Sequence, residues 1–268
     1  MLENRAAQVV RDGLRLAAWP ILRAAVPRGP KALSAMVRIR NEEQFLRTAI
    51  LSIVDVLDEV VLIDNLSDDG TPSIIADLVR ENPGKVRSVV YPYEIARVGR
   101  ENMELAASDR GSPRLLANYY NWCVRQCTNE WVVKWDADMV ALPEFAVAVD
   151  EFRASPRQVM HISGANVHPC LTHFIASDDF HRATEYYEPR VFCRRFARYA
   201  DYGGPFEALY SPYRVGRWGF RHEPLSYLHF KFCRANRPAN NSGDDVPAVR
   251  GERLSDELAA AAAATVFA

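Results

Sequence analysis

Two aspartates one residue apart, Asp136 and Asp138, close the apolar run Trp131-Val132-Val133-Lys134-Trp135. A carboxylate withdrawn from water at the tip of a buried strand is costly unless a partner compensates it. A divalent cation is one such partner, and a solvated turn is another. Carboxylate oxygens suit Mg2+ and Mn2+, ions that commonly bridge to substrate phosphates. An Asp-x-Asp pair alone carries little information, but two more polar segments also follow apolar runs. Arg40-Asn41-Glu42-Glu43 follows Leu33 to Ile39, and the stretch from Asp64 to Thr71, DNLSDDGT, follows Glu59 to Ile63. The chain has neither G-x-x-x-x-G-K-[ST] nor G-x-G-x-x-G, the usual glycine-rich phosphate cradles. A bound nucleotide would therefore have its diphosphate held by metal and arginines.

The elements that must position these groups alternate. LSAMVRI (33–39) reads as a strand, and Asn41 as the cap of a helix over EEQFLRTAILSIVDVL. EVVLI (59–63) is a second strand, and Pro72 suits the first turn of the helix SIIADLVREN. Val86 to Tyr91 is a third strand, and residues 92–112 read as an irregular polar loop. A helix from Pro113 to Cys127 leads into the strand Trp131 to Trp135. A helix over 143–154 and a strand over 158–165 follow. The next seventy or so residues are rich in aromatics and arginine and poor in periodicity. Strands alternating with helices predict βαβ units and an α/β fold with a mainly parallel sheet. Ligands bind beyond the carboxyl ends of such strands, so the three polar loops are expected at one edge.

Composition sets limits. The 268 residues carry a net charge of −1, which gives no global reason to expect a nucleic-acid partner. Lysines are only four, Lys31, Lys85, Lys134 and Lys231, and two of them flank the stretches around Asp136 and His229. Cys123, Cys127, Cys170, Cys193 and Cys233 show no zinc-type pairing and are expected to be thiols in a reducing cytoplasm. No apolar run reaches the roughly 18 residues that span a bilayer. Residues 1–28 form an amphipathic pattern with Arg5, Arg11, Arg15 and Arg23, which fits either peripheral membrane contact or packing on the chain's own domain. Three regions are expected: an N-terminal helical segment (1–30), a main domain (31–235), and a linker with a short alanine-rich helix (236–268).

The stretch AMVRIRNEEQFLRTAILSIVDVLDEVVLIDNLSDDGT, with Asn121 on a helix and WVVKWDADM after it, resembles the family 2 glycosyltransferases of GT-A fold. The resemblance covers about residues 33–142 and fades beyond. It implies transfer of a sugar from a nucleoside-diphosphate donor, UDP-linked by default, to a hydroxyl on a glycan, lipid-linked or other acceptor, such as a cell-envelope polysaccharide. Inversion is the stereochemistry it implies, and Mn2+ or Mg2+ the cofactor. Carried over, donor binding falls on Arg40, Glu42, Asp64, Asp68, Asn121, Lys134 and Asp136, and metal binding on Asp136, Asp138 and His229. Asn65 and Leu66 depart from the commonest family loop, which has Asp and Gly there. The family's downstream Glu-Asp motif, which supplies the catalytic base, has no clear counterpart. Glu207, after two glycines in YGGPFEALY, is preferred over Asp178, Asp179, Glu185 and Glu188.

Two rivals stand beside this reading. A strand ending in Asp-x-Asp also resembles haloacid-dehalogenase-like phosphatases, with Asp136 as nucleophile, Asp138 as acid/base and Asp178-Asp179 as a second metal pair. A module that binds nucleotide-sugars without turning them over would keep the fold and lack the base.

Overall fold

The computed structural model describes residues 29–173, 186–201, 207–211, 219–233 and 253–267. The expected helix over 1–28, the linker over 236–252, and Asp178, Asp179 and Glu185 lie outside these residues, as does the side chain of Glu188.

The first strands form where apolar residues run without alternation. β1 (Leu33–Ile39) and β2 (Glu59–Asp64) are buried along nearly their whole length, as a parallel sheet covered on both faces requires. β3 (Val86–Val90) flanks β2, and β4 (Trp131–Asp136) lies on the other side of β1. All four are parallel, which demands crossovers. These crossovers include α1 (Leu46–Leu51), α2 (Thr71–Glu81), and the pair α3 (Arg100–Ser108) and α4 (Leu116–Gln126). α3 falls where an irregular loop was expected. It carries few apolar residues, and its buried anchor is a polar one, Asn102, which accepts from the Leu116 amide and donates to Asp201.

Beyond β4 the expected helix over 143–154 and strand over 158–165 are present, and the sheet then continues through residues whose pattern gave no clear element. After the short β5 (Met139–Ala141) and α5 (Pro143–Ala154) come β6 (Val159–Asn166), β7 (Tyr186–Cys193), β8 (Arg198–Asp201), β9 (Glu207–Tyr210) and β10 (Gly219–His229). The main sheet has the order β3-β2-β1-β4-β7-β6-β10-β5, and β8 and β9 form a separate hairpin. β7 runs antiparallel to β4 and β6, and β5 antiparallel to β10, whereas β6 and β10 are parallel. The sheet is thus mainly parallel with two reversed strands, the mixed α/β architecture the alternation predicted.

α6 (Asp256–Phe267), the expected alanine-rich helix, does not stand alone. Leu254 and Ala262 join Phe45, Ala165, Val167, Leu228 and Phe230 in one buried cluster, in which the Phe45 and Phe230 rings stack at 5.3 Å. The C-terminal helix therefore covers strand ends close to the candidate site.

Packing is close where β6 meets β10. A Cβ added at Gly164 would lie 1.9 Å from the Tyr227 ring, which also meets Trp135 edge-on. Gly164→Ala must displace that ring, and overpacking of this kind costs roughly 1–3 kcal/mol. A urea melt should show a lower midpoint with unchanged slope; an unaltered midpoint would mean the ring moves freely.

Candidate active site

The two loops after β1 and β2 are tied together by side chains. Asn41 Nδ2 donates to Asp68 Oδ1 at 2.7 Å while Asn41 Oδ1 accepts from the Asp68 amide at 3.0 Å. The Asn41 amide donates to Ser67 Oγ, the Glu42 amide to Thr71 Oγ1, and the Gly70 amide to Glu43. Asn41, at φ 56°, occupies the left-handed region that asparagine tolerates. It does not cap α1, whose N-cap is Phe45 with no side-chain bond, because its amide is exchanged with Asp68. This lacing fixes Asp64, buried at the end of β2, whose Oδ1 receives the Ser67 amide at 3.3 Å. Leu66 is also left-handed, at φ 59°, and its side chain is exposed.

The Asp136–Asp138 turn is fixed from three sides. Trp135, fully buried against Phe145, donates its indole N–H to the Met139 carbonyl at 3.1 Å and so closes the turn. The Phe230 amide donates to the Asp138 carbonyl at 2.9 Å, tying the turn to the end of β10. Ala137, between the carboxylates, is buried. Asp138, only 1 % exposed, then lies with Oδ1 3.1 Å from His229 Nε2. One oxygen and one nitrogen donor meet there, from sequence positions ninety-one apart.

Asp136 has a different environment. Arg38, its register partner on β1, donates to Oδ1, and Arg190 on β7 donates to Oδ2 at 2.8 Å. Burial alone would raise the Asp136 pKa, but Arg190, Arg38, Lys134 and His229 together hold it well below the usual carboxylate range. The Arg38 guanidinium lies 3.9 Å from the centre of the Tyr120 ring, and Lys134 Nζ 5.7 Å from the same ring. Burial pushes the phenols of Tyr119 and Tyr120 well up. The field of Asp64 also reaches Tyr119, and those of Glu207 and Asp136 reach Tyr120. Two adjacent tyrosines of α4 thus sense all three carboxylates.

Of the residues expected in the site, Asp136 and Lys134 lie with Arg38 and Tyr120, Asp138 lies against His229, and Glu207 is on β9, which borders α4. Asp64 is level with Ile39 and Asp136 with Arg38, so β2 and β4 present them two strand spacings apart, about 10 Å. Glu42 is buried at the start of the laced loop. Arg40 faces Glu94 at 3.3 Å on an exposed rim, and Asp68 is engaged with Asn41. Asn121 is a correction: both ends of its amide bond the Tyr199 main chain, at 2.8 and 2.9 Å, so it fastens α4 to β8 instead of facing a donor. Arg38 and Arg190 were not anticipated. A cation inside the apolar β1 was the available signal for Arg38, but Arg190 sits in a stretch without periodicity and gave none.

A cation fits part of this set. Among the described residues no group of three or more His, Cys, Asp and Glu side chains forms a ready cage. Asp138 and His229 supply two donors, a number that suits Mg2+ or Mn2+ completed by substrate phosphates. Asp136 does not fit as readily, because guanidinium groups take both of its oxygens.

With this geometry in place, comparison with known proteins bears on the first half of the chain. Residues 34–93 match Glycosyl transferase family 2. That segment holds β1, β2, β3 and both laced loops. No curated protein matches the chain. Among solved structures, S. aureus TarS 1–349 is 14 % identical, with 75 % of this chain and 60 % of that one covered and a TM-score of 0.48. The same protein in complex with UDP-GlcNAc gives 15 %, 74 %, 58 % and 0.43. M. tuberculosis glucosyl-3-phosphoglycerate synthase gives 18 %, 50 %, 45 % and 0.34. The chain therefore spans about 60 % of the TarS 1–349 length.

Proposed function

We propose that the protein is a metal-dependent, inverting glycosyltransferase that moves a sugar from a nucleoside-diphosphate donor to an acceptor hydroxyl. The observation carrying this reading is the Asp138–His229 pair, 3.1 Å apart at the same sheet edge as Asp64, in a chain whose first strands match family 2. Asp138 and His229 would hold Mn2+ or Mg2+, and that ion would act as a Lewis acid on charge developing at the departing diphosphate. Asp64 accepts hydrogen bonds from the nucleoside. Glu207, whose charge is felt by Arg38 and Tyr120, takes the acceptor's proton as general base, and attack from the face opposite the leaving group inverts the anomeric centre. The complex of TarS with UDP-GlcNAc and that of the M. tuberculosis synthase with Mn2+ and UDP-glucose are consistent with a UDP-sugar donor.

The phosphatase alternative requires Asp136 to attack phosphorus with an oxygen held by a guanidinium, and nothing in the geometry favours it. A ligand that binds the native state raises its melting temperature. Of UDP, GDP, CDP and dTDP, UDP with Mn2+ is expected to give the largest rise, and no response to any nucleotide would remove the donor reading.

We also propose a cytoplasmic location with peripheral membrane contact through residues 1–28. Among the described residues no helix is long and apolar enough to cross a bilayer. Liposomes containing anionic lipid should float the full chain and not a chain lacking residues 1–28. Equal flotation of both would remove the membrane role.

A further inference from the structure

Asp136 and Asp138 are adjacent members of one motif, yet the structure gives them opposite surroundings. Asp138 faces an imidazole, whereas Asp136 is bracketed by two guanidiniums, one on each oxygen. The Arg190 side chain is 2 % exposed and cannot reach a substrate; its other contacts include the Tyr227 hydroxyl at 3.4 Å. Arg38 is less enclosed, at 15 %, and lies flat over Tyr120. Lys134 shares that ring. Three cations thus surround one carboxylate where no glycine-rich loop can cradle phosphates.

We infer that Asp136 is the anchor of an arginine cradle and not a metal ligand, and that Arg190 is a positioning residue that holds Asp136 so that Arg38 faces the donor diphosphate. This rests on the donor reading above. Each Asp136 oxygen already accepts from a guanidinium, so a cation there would have to share one carboxylate with two enclosed positive charges, and their repulsion disfavours it. A guanidinium suits a diphosphate, and a fixed carboxylate behind Arg38 removes the entropy of finding that orientation.

The two roles separate in a measurement of Mn2+ binding in the presence of UDP, read by electron paramagnetic resonance of the free ion. Asp138→Asn should weaken Mn2+ binding at least thirtyfold. Asp136→Asn should leave it within threefold of the unaltered protein while raising the Kd for UDP measured without metal at least tenfold. If Asp136→Asn fails to fold, Asp136→Asn/Arg190→Gln, which removes both charges, carries the same test. Arg190→Lys should restore part of the UDP affinity that Arg190→Gln loses, an outcome that a purely structural role would not give. Loss of Mn2+ in the Asp136 variants as large as in Asp138→Asn would overturn the inference and leave the donor reading standing. Absence of both Mn2+ and UDP binding in the unaltered protein would overturn the two together.

Discussion

Asp138→Asn should lower transfer by about a thousandfold, near 4 kcal/mol on the barrier, and should abolish any response to chelator. The substitution is nearly isosteric, and the turn is held by groups that do not involve the carboxylate: the Trp135 indole, the Phe230 amide and the buried Ala137. Folding should therefore survive, and a thermal melt without ligand should stay close to that of the unaltered protein. What changes is the charge opposite His229, 3.1 Å away. With a neutral amide there, one imidazole remains to hold a divalent ion, and lost affinity is the direct consequence. Activity that persists in EDTA, in either protein, would contradict the role given to this pair.

Glu207→Gln should remove transfer almost as completely, by roughly 10²–10⁴-fold in kcat for a lost general base. UDP and Mn2+ binding should remain, since Glu207 lies on β9, in the separate hairpin with β8, and contributes no donor to the Asp138–His229 pair. Its strand borders α4, and the partner strand β8 brings Tyr199 to 4.8 Å from Tyr120. An assay that separates donor binding from turnover distinguishes this from a folding defect. Near-normal turnover would move the base elsewhere. A wild-type chain that binds donor tightly and never transfers or hydrolyses it would instead support a non-catalytic module.

The parts of this architecture that could be read from residues alone are those in which information is local. β1, β2 and β4 are apolar runs that end in polar loops, and each declares itself within ten residues. Parallel pairing then places Asp64 and Asp136 at one edge without further input. The second half is different. β7 contains Pro189 and Arg190 amid aromatics, and β10 contains Pro224 with register shifts between His222 and Tyr227, so neither shows a period of two. The order β4-β7-β6-β10-β5 also depends on pairings across long sequence separations, which no local pattern encodes. Arg190 therefore could not be found beforehand, although Asp136 had been. Arg38 becomes legible only once β1 is known to lie level with β4, because Arg38 and Asp136 are then register partners. His229 came with Asp136 and Asp138 from the family resemblance, and the fold sets it against Asp138. Asn121 misled because a helical asparagine beside a strand can serve a ligand or a neighbouring main chain. Here it serves the Tyr199 main chain.

The most direct test is the position of Mn2+ in crystals grown with the ion and UDP, located by its anomalous scattering. The expected result is one peak within coordination distance of Asp138 and His229, with the remaining positions filled by diphosphate oxygens and water, and with Asp136 still between Arg38 and Arg190. A peak elsewhere, or bound nucleotide with no metal at that pair, would contradict the account at its centre.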